Sequence, residues 1–229
     1  MSKQVIVSGA TGNLGKDVVK KLTSLGYGLH INVREGKTDA YSDNANVSNY
    51  FADLTSEEQS EQFVAEAIGN ASRIEAGIFL AGGFAMGKLT DTSDADIEKM
   101  MTMNFATAFH LVKPLMKHFE AVGGGQFIFI GARPALVAEA GTGSFAYALS
   151  KALIFQMADM INAEGKSKNI RATVVVPSII DTPDNRSAMP GSDFSKWVPA
   201  SDIAEGIAFI LGDTGSKLRQ TVLKFYNEA

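Results

Sequence analysis

Val5-Ile6-Val7-Ser8-Gly9-Ala10-Thr11-Gly12-Asn13-Leu14-Gly15 is the stretch whose reading decides the fold. A β-branched run stops at three glycines in G-x-x-G-x-x-G spacing. An amphipathic helix pattern follows, with Leu14, Val18, Val19, Leu22 and Leu25 on one face and Gly26 closing it. Leu29 to Val33 reads as a second strand. Strand, glycine-rich turn, helix and strand make the start of a βαβ unit. Glycines there let the backbone turn tightly and approach a pyrophosphate resting on a helix N-terminus. The plain alternative is a turn with a close helix–strand contact.

Working outward, Tyr50-Phe51-Ala52 suggests a third strand, ended by Asp53. Thr55-Ser56-Glu57-Glu58 has capping-box form and opens a helix with Phe63, Ala67 and Ile68 inward. Ile78-Phe79-Leu80 is a fourth strand, ended by Ala81-Gly82-Gly83. A long helix is expected from about Asp94 to Phe119, kinked at Pro114. Gln126 to Ile130 is a fifth strand, and a helix carrying Tyr147 and Lys151 runs to about Glu164. Ala172 to Val176 is a sixth strand, ended by Pro177. Residues 178–200 read as one long irregular stretch, functional or mobile. Ser201 or Asp202 caps a helix with Ile203, Ile207, Ile210 and Leu211 inward, and Thr221 to Phe225 is the last strand. Strands that are continuous apolar runs, alternating with helices, predict an α/β doubly wound, mostly parallel sheet of Rossmann type, a single domain over residues 1–229.

The 229 residues are 45% hydrophobic and 20% charged, which suits a soluble domain with a sizeable core. A net charge of -4 gives no electrostatic reason to expect nucleic acid or an anionic membrane as partner. With no cysteine there is no thiol catalysis and no Cys-ligated metal; His30, His110 and His118 show no ligand spacing, so no metal is expected. No apolar run approaches the roughly 18 residues of a membrane span, and Met1 leads straight into a strand without a signal peptide, so the expected location is cytoplasmic.

Ligands in such a fold bind at the carboxyl ends of the strands. At the end of the second strand an acid would accept from ribose hydroxyls, whereas an arginine would pair with a 2′-phosphate. The strand ends Asn32-Val33-Arg34, with no acid before Glu35, so NADPH is expected, with NADH as the alternative. Asp53 could accept from the adenine amino group or cap the turn before Thr55. Tyr147 and Lys151, four apart on a helix, share a face. A neighbouring ammonium should pull the phenol below its usual value of about 10 and fit it for proton transfer.

Gly9 to Gly15, Asp53, Ala81-Gly82-Gly83, Asn104, Tyr147-x-x-x-Lys151 and Pro177-Ser-Ile-Ile-Asp-Thr182 together resemble the short-chain dehydrogenase/reductase family over essentially the whole chain. The resemblance implies a nicotinamide-dependent oxidoreductase with Tyr147 as general acid. Lys151 would hold the nicotinamide ribose and Asn104 would help anchor a water chain. It implies a cofactor site of Gly9, Thr11, Gly12, Asn13, Leu14, Gly15, Arg34, Asp53, Leu54, Ala81, Gly82, Gly83, Lys151, Pro177 and Thr182, with Thr182 on the carboxamide. It also implies a homodimer or homotetramer formed through the long and catalytic helices.

One departure matters. The family's substrate-orienting serine would fall at position 134, which is Pro134, and the strand end offers Ala132. Ser144 lies one turn before Tyr147 and reads as a cap for its helix. The pattern D-T-P-x-N-R-x-x-M-P-x-x-D-F-x-x-W-x-P from Asp181 to Pro199 is similar to that of dihydropteridine reductases, which reduce a quinonoid dihydropterin. Such a ring needs hydride and a proton rather than polarisation of an isolated ketone. On that resemblance Phe84, Met86, Ala132, Met189 and Trp197 would line the substrate pocket, with 178–200 as its loop. A non-catalytic NAD(P)-sensing protein, or an epimerase or dehydratase of nucleotide sugars, are the alternative functions.

Overall fold

The computed structural model describes residues 2–34, 36–37 and 40–228; Glu35 lies outside them. One seven-stranded sheet runs through the molecule. Its strands are β1 (Gln4–Ser8), β2 (Gly28–Val33), β3 (Val47–Phe51), β4 (Ala76–Phe79), β5 (Gly125–Ile130), β6 (Ile170–Pro177) and, last in the chain, Thr221–Phe225. That last strand is β9, because β7 (Ile180–Asp181) and β8 (Val198–Pro199) form a separate two-stranded pair. The order is β3-β2-β1-β4-β5-β6-β9, parallel at every pairing. The chain winds outward from β1 in one direction and from β4 in the other, which opens a crevice between their carboxyl ends.

Both faces of the sheet are covered. On one face α2 (Glu57–Ala71), α4 (Thr107–Val122) and α6 (Phe145–Glu164) bury Phe63, Leu111, Leu115, Phe119 and Ile154. Phe79 stacks on Phe129 at 4.9 Å between ring centroids, and Phe119 meets Phe127 edge-on at the same distance. Such aromatic pairs add about 0.5–1.5 kcal/mol each beyond area burial. On the other face α1 (Asn13–Ser24) and α8 (Ala200–Leu211) bury Val18, Val19, Leu22, Ile203, Ile207 and Ile210. The central strands β2 and β4 are buried at every position, whereas the edge strands β3 and β9 are not. That contrast explains why the central strands read as unbroken apolar runs.

Several expectations need correction. Leu25 is 52% exposed, because Gly26 takes a positive φ of 80° and the chain has already left the helix. The cap of α2 is Ser56, whose hydroxyl accepts from Gln59 N, while Thr55 bonds back to Asp53. Helix α8 begins at Ala200 after Pro199, ahead of Ser201 and Asp202, and has no side-chain cap. The long helix does not change character at Pro114. It consists of α3 (Asp94–Met101), a π-helical turn over Thr102–Ala106, and α4. Wide turns of this kind are recurrent at functional sites. Residues 178–200 are not irregular: they hold β7, α7 (Pro183–Ala188), a 3-10 turn over Phe194–Lys196, and β8. A short helix α5 (Ala138–Gly141) precedes α6.

Candidate active site

The glycine turn has the shape its spacing predicts. Gly9 sits at φ 68°, and a Cβ there would lie 2.6 Å from Ala81 N, so both conformation and contact demand glycine. At Gly15 a Cβ would lie 2.2 Å from Gly9 O, which lets α1 start tight against the turn. Gly12 is the N-cap of α1 and supplies no side-chain cap, so the first-turn N–H groups stay open to an anion. The Tyr41 hydroxyl donates to Ala10 O at 2.8 Å, and Gly9 N donates to Asn32 Oδ1 at 3.3 Å, which brace the turn. Asn13 donates to Asp184 Oδ2 at 2.7 Å and ties the turn to α7. Leu14 packs partly buried against the core.

Beside this turn lies a cavity of about 300 Å³, lined by the ends of β1, β2, β3 and β4. Gly9, Thr11, Gly12, Arg34, Asp53, Leu54, Ala81 and Gly82 all border it. Lys37 borders it too, a second cation that sequence reading missed. Nothing in the periodicity marks Lys37, because the loop after β2 folds back only in three dimensions. Asp53 Oδ1 accepts from Thr55 N at 3.0 Å and from its hydroxyl at 2.8 Å, so the capping role is realised while the residue still borders the cavity. The glycine cradle, the open helix end and the two cations fit a phosphorylated dinucleotide.

Beside the end of β5, helix α6 carries Tyr147 and Lys151. Lys151 is 6% exposed, and its Nζ donates to Ile130 O at 2.9 Å. Burial lowers its pKa to about 8. Tyr147 is half-buried, with the Phe84 ring edge-on to it at 4.9 Å. Burial pushes its phenol up to about 12, the reverse of the expected depression. The ammonium is satisfied by a backbone carbonyl, and enclosure of the phenol dominates.

Asn104 lies in the π turn, 1% exposed. Its Oδ1 accepts from Gly83 N at 3.0 Å, and its Nδ2 donates to Gly83 O and to Ser150 Oγ, both at 3.1 Å. Ser150 in turn donates to Tyr147 O at 2.8 Å. A Cβ on Gly82 would lie 2.6 Å from Asn104 Oδ1. The amide is thus a fastening between the loop after β4 and α6, a network that Ser150 completes and that sequence reading did not find.

The remaining residues divide. Thr182 is buried at the start of α7, where its hydroxyl accepts from Asn185 N at 3.2 Å. Pro177 ends β6 opposite Phe225. Phe84 and Met86 are 61% and 75% exposed, and Gly87 N donates to Gly143 O just before α6. Ala132 is buried at the start of a 3-10 turn over Arg133–Ala135, so no hydroxyl stands there. Ser144 occupies the N-cap position of α6 but makes no capping bond, since its φ of -146° and ψ of 53° differ from those of the other serine caps. Trp197 is 3% exposed: it packs on Phe194 at 4.7 Å, and Asn227 holds its carbonyl. It anchors the 178–200 segment and also borders a cavity of about 740 Å³ with Asp181, Arg186 and Phe194. Met189 is half-buried at the end of α7.

The sequence profile described as short chain dehydrogenase matches residues 3–192. The chain belongs to the short-chain dehydrogenase family. A dihydropteridine reductase of Dictyostelium discoideum is 30% identical over 213 residues, 90% of this chain and 86% of that protein. An NAD-dependent glycerol dehydrogenase of Listeria innocua is 25% identical over 227 residues, 93% of this chain and 88% of the relative. Among solved structures, ElxO with NADP bound superposes with a TM-score of 0.90 at 23% identity, covering 98% of this chain and 97% of the other. As a short-chain dehydrogenase the chain is an NAD(P)H-dependent oxidoreductase with a small-molecule substrate. Among the described residues no helix is long and apolar enough to cross a membrane.

Proposed function

We propose that this short-chain dehydrogenase is an NADPH-dependent reductase of conjugated carbonyls or imines, with a quinonoid dihydropterin as the favoured substrate. The observation that carries the reading is the pairing of a proton-retaining Tyr147 with Ala132 in place of the orienting hydroxyl. A phenol whose burial pushes its pKa up to about 12 is protonated at neutral pH and so stands ready to donate a proton to the acceptor as hydride arrives. Without a hydroxyl after β5, a ring already activated by conjugation is the better acceptor. The likeness to a dihydropteridine reductase supports the pterin class.

Bound at the cavity, the cofactor supplies the hydride. The Gly9–Gly15 turn and the open end of α1 hold its diphosphate, and Arg34 with Lys37 take the 2′-phosphate. Asp53 and Leu54 border the adenine, and Lys151 and Thr182 fix the nicotinamide end. Asn104 keeps the loop after β4 seated beside it. Phe84 and Met86 form the accessible wall for a flat ring, and the folded 178–200 segment closes the substrate side. Exposed Phe109, Leu149, Leu153 and Met160, on the long and catalytic helices, support association as a dimer or tetramer.

The test is a panel of quinonoid dihydropterin, simple quinones and 3-oxo thioesters with NADPH and NADH. Fastest turnover of the dihydropterin with NADPH is expected. Preference for a 3-oxo thioester would remove the pterin class, and no turnover with any acceptor would remove the reductase reading.

A further inference from the structure

At the amino ends of the strands, across the sheet from the cofactor crevice, lies a second cavity of about 290 Å³. Gln126 of β5 and Arg171 of β6 are register partners on its wall. Arg171 Nη2 donates to Gln126 Oε1 at 3.0 Å and fixes both side chains. Gln126 is 1% exposed, yet its Nε2 and the Nε of Arg171 are buried donors with no partner. Buried donors are costly to leave unmade.

The wall is also strongly cationic. Arg73, Lys217 and Arg219 join Arg171, and among the described residues none of the four makes an ion pair. Lys3 pairs with Asp213 at 3.7 Å, and Glu75 is the other acid present, so the cations outnumber the acids five to two. The guanidinium of Arg171 has its pKa lowered, first by burial and then by the charge of Arg219. Arg219, whose Nη2 donates to Asn169 Oδ1 at 2.9 Å, lies close enough for its charge to act on Arg171. Planar guanidinium forks match phosphate and carboxylate oxygens, and three net positive charges match a diphosphate better than a monocarboxylate.

We propose that this cavity is an anion site for a diphosphate group, separate from the cofactor crevice and independent of the reductase reading. Calorimetric titration with inorganic pyrophosphate at fixed ionic strength tests it, with acetate as the control. Saturable binding is expected for pyrophosphate and not for acetate. The Kd should weaken about tenfold in Arg219→Ala, the loss expected for a hydrogen bond to a charged group, and severalfold in Lys217→Ala. Lys217 is exposed, so that variant keeps its fold. Absence of saturable binding would overturn the proposal. So would binding unchanged in both variants, which would assign the ion to the glycine turn.

Discussion

The ammonium of Lys151, on α6, donates to the carbonyl oxygen of Ile130, the last residue of β5, at 2.9 Å. A buried cation is thus held by a neutral acceptor, and the free protein carries the cost of its charge.

That cost is measurable. Folding lowers the lysine pKa to about 8 from its unfolded value of about 10.4. Between those values the unfolded chain binds more protons, so stability from this group rises with pH through that window and is lost below it. Lys151→Met should stabilise the cofactor-free protein by about 1–3 kcal/mol at pH 7 and by much less at pH 10. Urea unfolding at the two pH values checks this; equal gains would contradict it.

For Tyr147, replacement by phenylalanine should leave NADPH binding intact, as followed by nucleotide fluorescence, and lower kcat roughly 10²-fold or more. Because the phenol stays protonated to about pH 12, no tyrosine limb should appear in the reductive rate between pH 6 and 10. The rate should instead fall as pH rises through about 8, where Lys151 loses its charge. Unchanged turnover in the phenylalanine variant would sink the assignment.

At the adenosine end, Arg34→Asp should raise KM for NADPH far more than for NADH, by roughly tenfold or more, because a charge-assisted contact is replaced by repulsion. Lys37→Ala should act in the same direction and more weakly. Steady-state kinetics with both cofactors decide it: equal effects would take both cations out of phosphate recognition.

Serine caps offer a comparison free of catalysis. Ser56→Ala removes a real capping bond and should cost about 1 kcal/mol. Ser144→Ala removes none and should cost no more than a few tenths. Similar losses in denaturant unfolding would mean that the Ser144 hydroxyl has another structural partner.

How much of this was legible in the chain depends on range. Val5 to Gly15 announced the turn because its constraints are local: a positive φ at Gly9 and backbone approach at Gly15 leave only glycine. The inner strands were legible as apolar runs bounded by turn residues, whereas the half-exposed edge strand β3 was expected at Tyr50–Ala52 and spans Val47–Phe51. Lys37 and the bond of Asn13 to Asp184 were not, since they depend on loops folding back over the strand ends. The burial of Trp197 was not legible either, because an aromatic in a segment similar to a substrate loop serves equally well as a pocket wall and as an anchor, and spacing does not separate the two roles. The rise of the Tyr147 pKa was hidden for the same reason: spacing places a lysine nearby but says nothing about where its ammonium is satisfied.

The amide of Asn104 reaches the loop after β4 and α6 at once, from a wide turn in the long helix. Three elements are therefore bolted at one point, and none can be re-shaped there without disturbing the others. Kinetic effects of an Asn104 variant will not partition cleanly between cofactor affinity and turnover. On the proposed reading, redesign of acceptor preference begins where no such fastening exists, at the 75% exposed side chain of Met86.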